Sequence, residues 1–307
     1  MPRLPRSLFK YRSFETNTLR LLAQGEIYFA PPSTFNDPFD CDPVIQPDAD
    51  MAQLEHLWKV LALRMANQKD PATAKSSAAR TLSDYRYYAT EHGGTHDDGG
   101  IGSQTYRYYL SRDIKSYVSQ HFAGHGVLSL SARWDSPLMW SHYASEHRGL
   151  CIEYLTHDHR CGFLQPVNYK SSRYLNVSDL HQWLVGRSAN ARDRIFDQHF
   201  LAKAGQWRYE KEWRAVQQQA GRAQRPFRIA SVIFGLRTDP TIVTATVKLL
   251  AGYRPEVEFF QVHSTDNGFK LRRHRIDETE IELFGVREST HFDLDAFEAE
   301  PVDEELP

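Results

Sequence analysis

The hydrophobic pattern changes period several times along the chain, and each change marks an element. Ser7-Leu-Phe-Lys-Tyr-Arg12 reads as a strand and Glu15 to Gln24 as a helix that Thr16 or Ser13 can cap and Gly25 closes. Glu26-Ile-Tyr-Phe-Ala30 reads as a second strand, stopped by Pro31-Pro32, and Asn36-Asp37-Pro38 is a turn. Between 51 and 122 the period becomes helical. Leu54, Leu57, Trp58, Leu61 and Met65 share one face of a first helix, and Tyr109, Ile114, Tyr117 and Val118 mark a second over Tyr106 to Phe122, with a loose centre between them.

Strand character returns at Gly126-Val-Leu-Ser-Leu-Ser131 and at Gly149-Leu-Cys-Ile-Glu-Tyr-Leu155, with a short amphipathic helix from Pro137 through Tyr143 between them. A further strand is expected near Pro166 to Tyr169, and a helix from about Asn176 to Ala204. Strands at 227–235, 257–262 and 270–275 and a helix over 239–250 complete the pattern. There is no regular βαβ rhythm and no GxGxxG or GxxxxGKS/T string, which argues against a Rossmann or P-loop site. The expected class is α+β: one domain over 1–287 built on a mixed sheet with flanking helices, a helical insertion at 51–122 and a tail at 288–307.

The run Lys203-Ala-Gly-Gln-Trp-Arg-Tyr-Glu-Lys-Glu-Trp-Arg-Ala-Val216 carries the strongest chemical signal. On a strand Glu210, Glu212 and Arg214 face one way, while Trp207, Tyr209, Lys211 and Trp213 face the other. Carboxylates about 7 Å apart repel by roughly 2 kcal/mol at a protein-like dielectric, so a buried pair requires a cation or a ligand. An edge strand with a solvated charged face is the simpler alternative.

Three more clusters hold more polar groups than packing requires. Lys10-Tyr11-Arg12 sets two cations around an aromatic ring, suited to a phosphate and a planar base or to an ordinary exposed strand end. Asn36, Asp37 and Asp40 can bond sugar hydroxyls or close local Asx turns. His142 and Tyr143 share a helix face with Met139, where a histidine either packs or reaches into a cleft.

Composition narrows the class. The chain has 307 residues, 41% hydrophobic, enough for one good core, and no apolar run approaches the ~18 residues of a membrane span. The start lacks an apolar leader, and the three cysteines Cys41, Cys151 and Cys161 lack paired spacing, so reduced thiols and a cytoplasmic location without membrane contact are expected. The net charge of −2 conceals an asymmetry: residues 288–307 hold eight acidic residues and no Lys or Arg, leaving 37 basic against 31 acidic residues elsewhere. A body of net +6 suits a dinucleotide or a nucleic acid without choosing between them. His92, His96, Asp97 and Asp98 lie in a glycine-rich loop, and His157, His159 and Cys161, with Cys151, in or near a polar one. Both are ordinary loop compositions, and no metal is expected.

Taken in order, Leu8-Phe-Lys-Tyr-Arg12, Ile27 to Asp40 with its FNDPFD string, Leu138-Met-Trp-Ser-His-Tyr-Ala144 with Gly149-Leu-Cys-Ile-Glu153, and Trp207 to Arg214 resemble bacterial domain-of-unknown-function family 2971. That family carries no activity. The order of a Lys-Tyr-Arg strand, helix, Gly turn, strand and late Glu-x-Glu strand is also similar to the mono-ADP-ribosyltransferase layout, in which a split mixed sheet grips NAD. This second resemblance implies Glu212 as the catalytic carboxylate with Glu210 its partner, and Lys10, Tyr11 and Arg12 along the dinucleotide. Ser129-Leu-Ser131 matches that family's Ser-Thr-Ser strand only in part.

On this reading His142 or Tyr143 contacts nicotinamide, and Asn36, Asp37, Asp40 and Arg214 complete the cofactor pocket. NAD is then the substrate, a protein, a nucleic acid or water the acceptor, and bacterial conflict or phage defence the setting. The rivals are a non-catalytic nucleotide or nucleic-acid binding module and a nuclease that uses His142 with the carboxylates.

Overall fold

The computed structural model describes residues 3–66, 70–91, 99–156, 163–250, 257–265, 268–277 and 279–280. Residues 92–98, 157–162 and 288–307 lie outside the described residues, and with them both candidate metal groups except Cys151.

The opening elements follow the pattern closely. Strand β1 (Ser7–Arg12) leads to helix α1 (Thr16–Gln24), and Gly25, at φ 67°, takes the left-handed conformation that closes the helix before β2 (Glu26–Phe29). Neither Thr16 nor Ser13 caps α1: Glu15 occupies the cap position without a side-chain bond. A three-residue strand β3 (Val44–Gln46) then precedes three helices, α2 (Met51–Met65), α3 (Pro71–Glu91) and α4 (Ile101–Phe122). The expected loose centre is therefore largely a 21-residue helix. Only Ala74, Leu82 and Ala89 of α3 are buried, too few apolar positions to print a helical period.

Beyond the insertion come β4 (Gly126–Ser131), α5 (Pro137–Tyr143), β5 (Leu150–Leu155), β6 (Gln165–Pro166) and β7 (Tyr174–Asn176). The single helix expected over 176–204 is two, α6 (Val177–Leu184) and α7 (Ala189–Phe200). Ser188 caps the second by accepting from the Ala191 amide. Strands β8 (Glu212–Gln217), β9 (Gly221–Gln224) and β10 (Arg228–Phe234), helix α8 (Pro240–Leu250), and strands β11 (Glu258–Ser264) and β12 (Leu271–Arg275) finish the described chain.

Eight strands form one mixed sheet in the order β12-β11-β10-β5-β1-β4-β8-β6. Within it β10 and β11 run parallel and the other neighbours antiparallel. The class is thus mixed α+β. One core cluster packs α1 and α8 against the sheet through Leu21, Leu22, Val243 and Val247, and another sets Met139 and Trp140 of α5, with Ala144 just after it, against Phe9, Tyr11 and Cys151. The helical insertion shares a third cluster with α6 and α7, where Leu54, Leu57 and Leu110 meet Leu180 and Phe200.

The sheet is continuous except at its centre. Strand β1 pairs with β5 along six residues, but with β4 only at Phe9 and Ser131. Farther back along β4, Val127 bridges instead to Ala30, just beyond β2. Between those two points the strands part, and a cavity opens.

Candidate functional site

A cavity of about 360 Å³ occupies this parting, and residues of all four polar clusters line it. Lys10, Tyr11 and Arg12 come from β1, Asn36 and Asp40 from the turn after β2, Tyr143 from α5, and Glu210, Glu212 and Arg214 from the late segment. Their convergence follows from the topology, since β1 and β4 border the opening and β8 lies against β4.

The late segment does not form the expected strand. Gly205–Glu210 is a 3-10 turn, Lys211 adopts φ 47°, and the strand begins only at Glu212. A left-handed non-glycine residue costs about 1–2 kcal/mol, so something must offset it. The kink directs Glu210 and Glu212 to one ammonium: Lys203 Nζ donates to Glu210 Oε2 at 2.5 Å and to Glu212 Oε2 at 2.9 Å, with Asp40 Oδ2 at 3.4 Å. Trp207 and Tyr209 lie on the turn rather than on the far face of a strand, and the Trp207 ring sits 5.2 Å from the same ammonium.

Arg214 is the second cation. Its guanidinium holds both oxygens of Asp40, at 2.8 and 2.6 Å, both oxygens of Glu212, at 2.8 and 3.1 Å, and the Phe200 carbonyl at 2.7 Å. Three carboxylates and two cations are thus buried together, the arrangement that lets so many charges leave water. The pairing sets the protonation states. Although burial opposes ionisation of Glu212, Arg214, Lys203 and the Ser129 hydroxyl hold its pKa well below the usual range. Burial raises that of Glu210, against the pull of Lys203 and the hydrogen bond from Tyr143.

Tyr143 ties the helix to this network. Its hydroxyl donates to Glu210 Oε1 at 2.7 Å and accepts from Asn36 Nδ2 at 3.2 Å. Hydrogen bonds therefore run without a break from Asn36 through Tyr143, Glu210, Lys203, Glu212 and Arg214 to Asp40. Below Glu212, its backbone amide donates to the Tyr169 hydroxyl at 2.8 Å, and Ser131 Oγ donates to the Glu210 carbonyl at 2.7 Å.

Across the cavity Lys10 Nζ donates to the Ser129 carbonyl at 2.7 Å, on the stretch where β4 has left β1. Tyr11 donates to the Arg133 carbonyl at 2.9 Å and sets its ring edge-on to Trp140. Arg12 differs from the other cations in the cavity, because its buried Nε has no hydrogen-bond partner and its guanidinium forms no ion pair among the described residues. An unpaired buried donor of this kind costs about 1–3 kcal/mol until a ligand accepts from it.

Two expected residues fall outside. His142 is exposed on α5 and does not line the cavity, whereas Met139 and Tyr143 of the same helix do; its ring lies 6.3 Å from Tyr209. Asp37 is buried but closes its own turn, accepting from the Phe39 amide at 2.9 Å. Conversely, Lys203 opens the run singled out in the sequence but is given no role there. The one available signal was electrostatic, the cation that two buried carboxylates require, and it does not say which lysine. Among the described residues no group of three or more His, Cys, Asp and Glu side chains is placed to hold a metal ion, and no helix is long and apolar enough to cross a membrane.

No curated protein and no solved structure matches the chain. The likeness to mono-ADP-ribosyltransferases accordingly has no support beyond the order of segments in the sequence. Residues 139–215, which run from Met139 on α5 through Lys203, Glu210, Glu212 and Arg214, match the family model described as protein of unknown function (DUF2971).

Proposed function

We propose that the cavity binds NAD or a related dinucleotide and that the chain cleaves its nicotinamide glycosidic bond, passing ADP-ribose to a macromolecular acceptor or to water. The observation that carries this reading is the joint placement of Glu210 and Glu212 on Lys203 in a cavity whose opposite wall holds the unpaired Arg12 guanidinium. Cleavage builds positive charge on the ribose, and a preorganised carboxylate stabilises it without reorganising. The roles divide between the two carboxylates. Glu212, kept ionised by Arg214 and Lys203, supplies fixed negative charge, whereas Glu210, whose pKa is raised, accepts a proton from the attacking hydroxyl. Arg12 takes the pyrophosphate, and Tyr143 faces the reacting end of the ligand beside Glu210.

One observation favours a binding module without catalysis: both Glu212 oxygens are already bonded to cations of the protein. The nuclease arrangement draws no such support, since it needs His142 beside the carboxylates.

Purified protein incubated with labelled NAD and cell lysate, as wild type, Glu210→Gln and Glu212→Gln, separates the readings. Released nicotinamide or labelled acceptor that either variant lacks supports the enzyme. An NAD-dependent rise in melting temperature with no nicotinamide released supports the binding module, and neither response removes both.

A further inference from the structure

Lys10 stands apart from the other charged groups of the cavity. Asp40 spends both oxygens on Arg214, Glu212 spends both on Arg214 and Lys203, and Glu210 spends its own on Lys203 and Tyr143. No carboxylate remains for Lys10, which makes a single hydrogen bond, to the Ser129 carbonyl. Arg12, two residues along the strand and on the same side of it, likewise has no ion-pair partner among the described residues, and its buried Nε has no hydrogen-bond partner. Two cations without counterions thus border one cavity. The guanidinium cannot shed its proton, whereas the amine can.

We propose that Lys10 is a nucleophilic amine that forms a covalent imine with a small carbonyl compound carrying an anionic group. The nitrogen lone pair attacks the carbonyl carbon, both N–H protons leave with the carbonyl oxygen as water, and a C=N bond replaces C=O. Neither an oxidant nor a reductant is consumed. Arg12 holds the anion and thereby sets the carbonyl over Lys10.

The surroundings favour the free amine. Burial and Arg12 lower the pKa of Lys10 to about 7, with Lys203 adding to them and with Glu212 and Glu210 pulling the other way. An amine with a pKa near neutrality is nucleophilic at physiological pH, where an ordinary lysine is almost wholly protonated. The partner class follows from geometry: the cavity has room for a small molecule, and among the described residues that line it Arg12, on the same strand, is the guanidinium left to take its charge. The inference rests on the cavity and its charges and does not require the NAD reading, although ring-opened ADP-ribose is itself an anionic aldehyde.

The test uses glyoxylate, a small anionic aldehyde, with cyanoborohydride to trap the imine as carboxymethyl-lysine, and peptide mass spectrometry to locate it. Lys10 is expected to label at least ten-fold faster at pH 7 than the exposed Lys211, with a half-maximal rate near pH 7. Arg12→Ala should slow labelling by glyoxylate several-fold more than labelling by uncharged formaldehyde. Labelling of Lys10 no faster than Lys211, or a half-maximal rate above about pH 9, overturns the proposal. Because no NAD is present, failure here leaves the NAD reading standing, and an inactive enzyme leaves this one standing.

Discussion

Arg214 grips Asp40 through two hydrogen bonds of 2.8 and 2.6 Å, joining residues 174 positions apart. The contact binds the FNDPFD turn to the late Glu-x-Glu segment, and both partners are almost wholly buried. One wall of the cavity therefore depends on a pair that neither segment can satisfy alone.

Arg214→Ala leaves Asp40 and Glu212 competing for Lys203 in a dry setting. Loss of one partner from a buried ion pair costs about 3–5 kcal/mol, and denaturant unfolding should show a loss of that size. Asp40→Asn combined with Arg214→Ala should cost clearly less than the sum of the two single losses, because the first change removes the charge that the second strands.

Lys10→Met should stabilise the protein near neutral pH. The folded pKa of Lys10 lies near 7 against 10.5 unfolded, so between these values the unfolded chain binds more protons and wild-type stability rises with pH. The advantage of the variant is fully present below pH 7 and shrinks toward pH 10.5. Urea unfolding at several pH values checks the sign.

His199 predicts a second pH dependence. Its ring is buried between Phe122 and Phe200, 4.6 and 4.5 Å away, with Nδ1 unbonded, and burial lowers its pKa to about 4 from 6.5. The native state resists protonation, so stability falls as pH drops from 6.5 to 4 and levels off below. The shift is worth about 3 kcal/mol, and His199→Phe should flatten this part of the profile.

Gly149→Ala tests how the end of β1 is held. A methyl carbon there would lie 2.1 Å from the Arg12 carbonyl and 3.0 Å from that of Ala144, backbone atoms that cannot swing aside. A loss of about 1–3 kcal/mol is expected. Should the cavity prove to bind a nucleotide, its affinity, measured by calorimetry, should fall as well, since relief of the clash moves Arg12.

Tyr143→Phe removes the hydroxyl between Asn36 and Glu210 while keeping the ring. Should nicotinamide release be found, the variant should shift its pH profile toward higher pH, since Glu210 loses a donor that favours its charged form. An unchanged profile would separate Glu210 from the proton transfer.

Much of this was legible in the residues. The strand–helix–turn–strand start, the strands at 126–131 and 150–155 and the helix at 137–143 followed from hydrophobic period, Gly25 and Pro137, which are local signals acting on local backbone. The two-residue β6 and three-residue β3 and β7 were blurred or missed, because so short a stretch carries no period and exists only through its partner strand.

The sequence by itself determined that two carboxylates near residue 211 would need a cation if buried, and that the clusters holding Lys10 and Arg12, Asn36, Asp37 and Asp40, and His142 and Tyr143 exceeded what packing requires. Charge and residue type suffice for that. Only the tertiary structure decided that the cation is Lys203, that Lys211 breaks the strand to bring both glutamates to it, and that His142 is exposed outside the cavity lining. Those outcomes turn on which backbone segments the parted sheet brings within about 3 Å of each other, and no local pattern encodes such a distance.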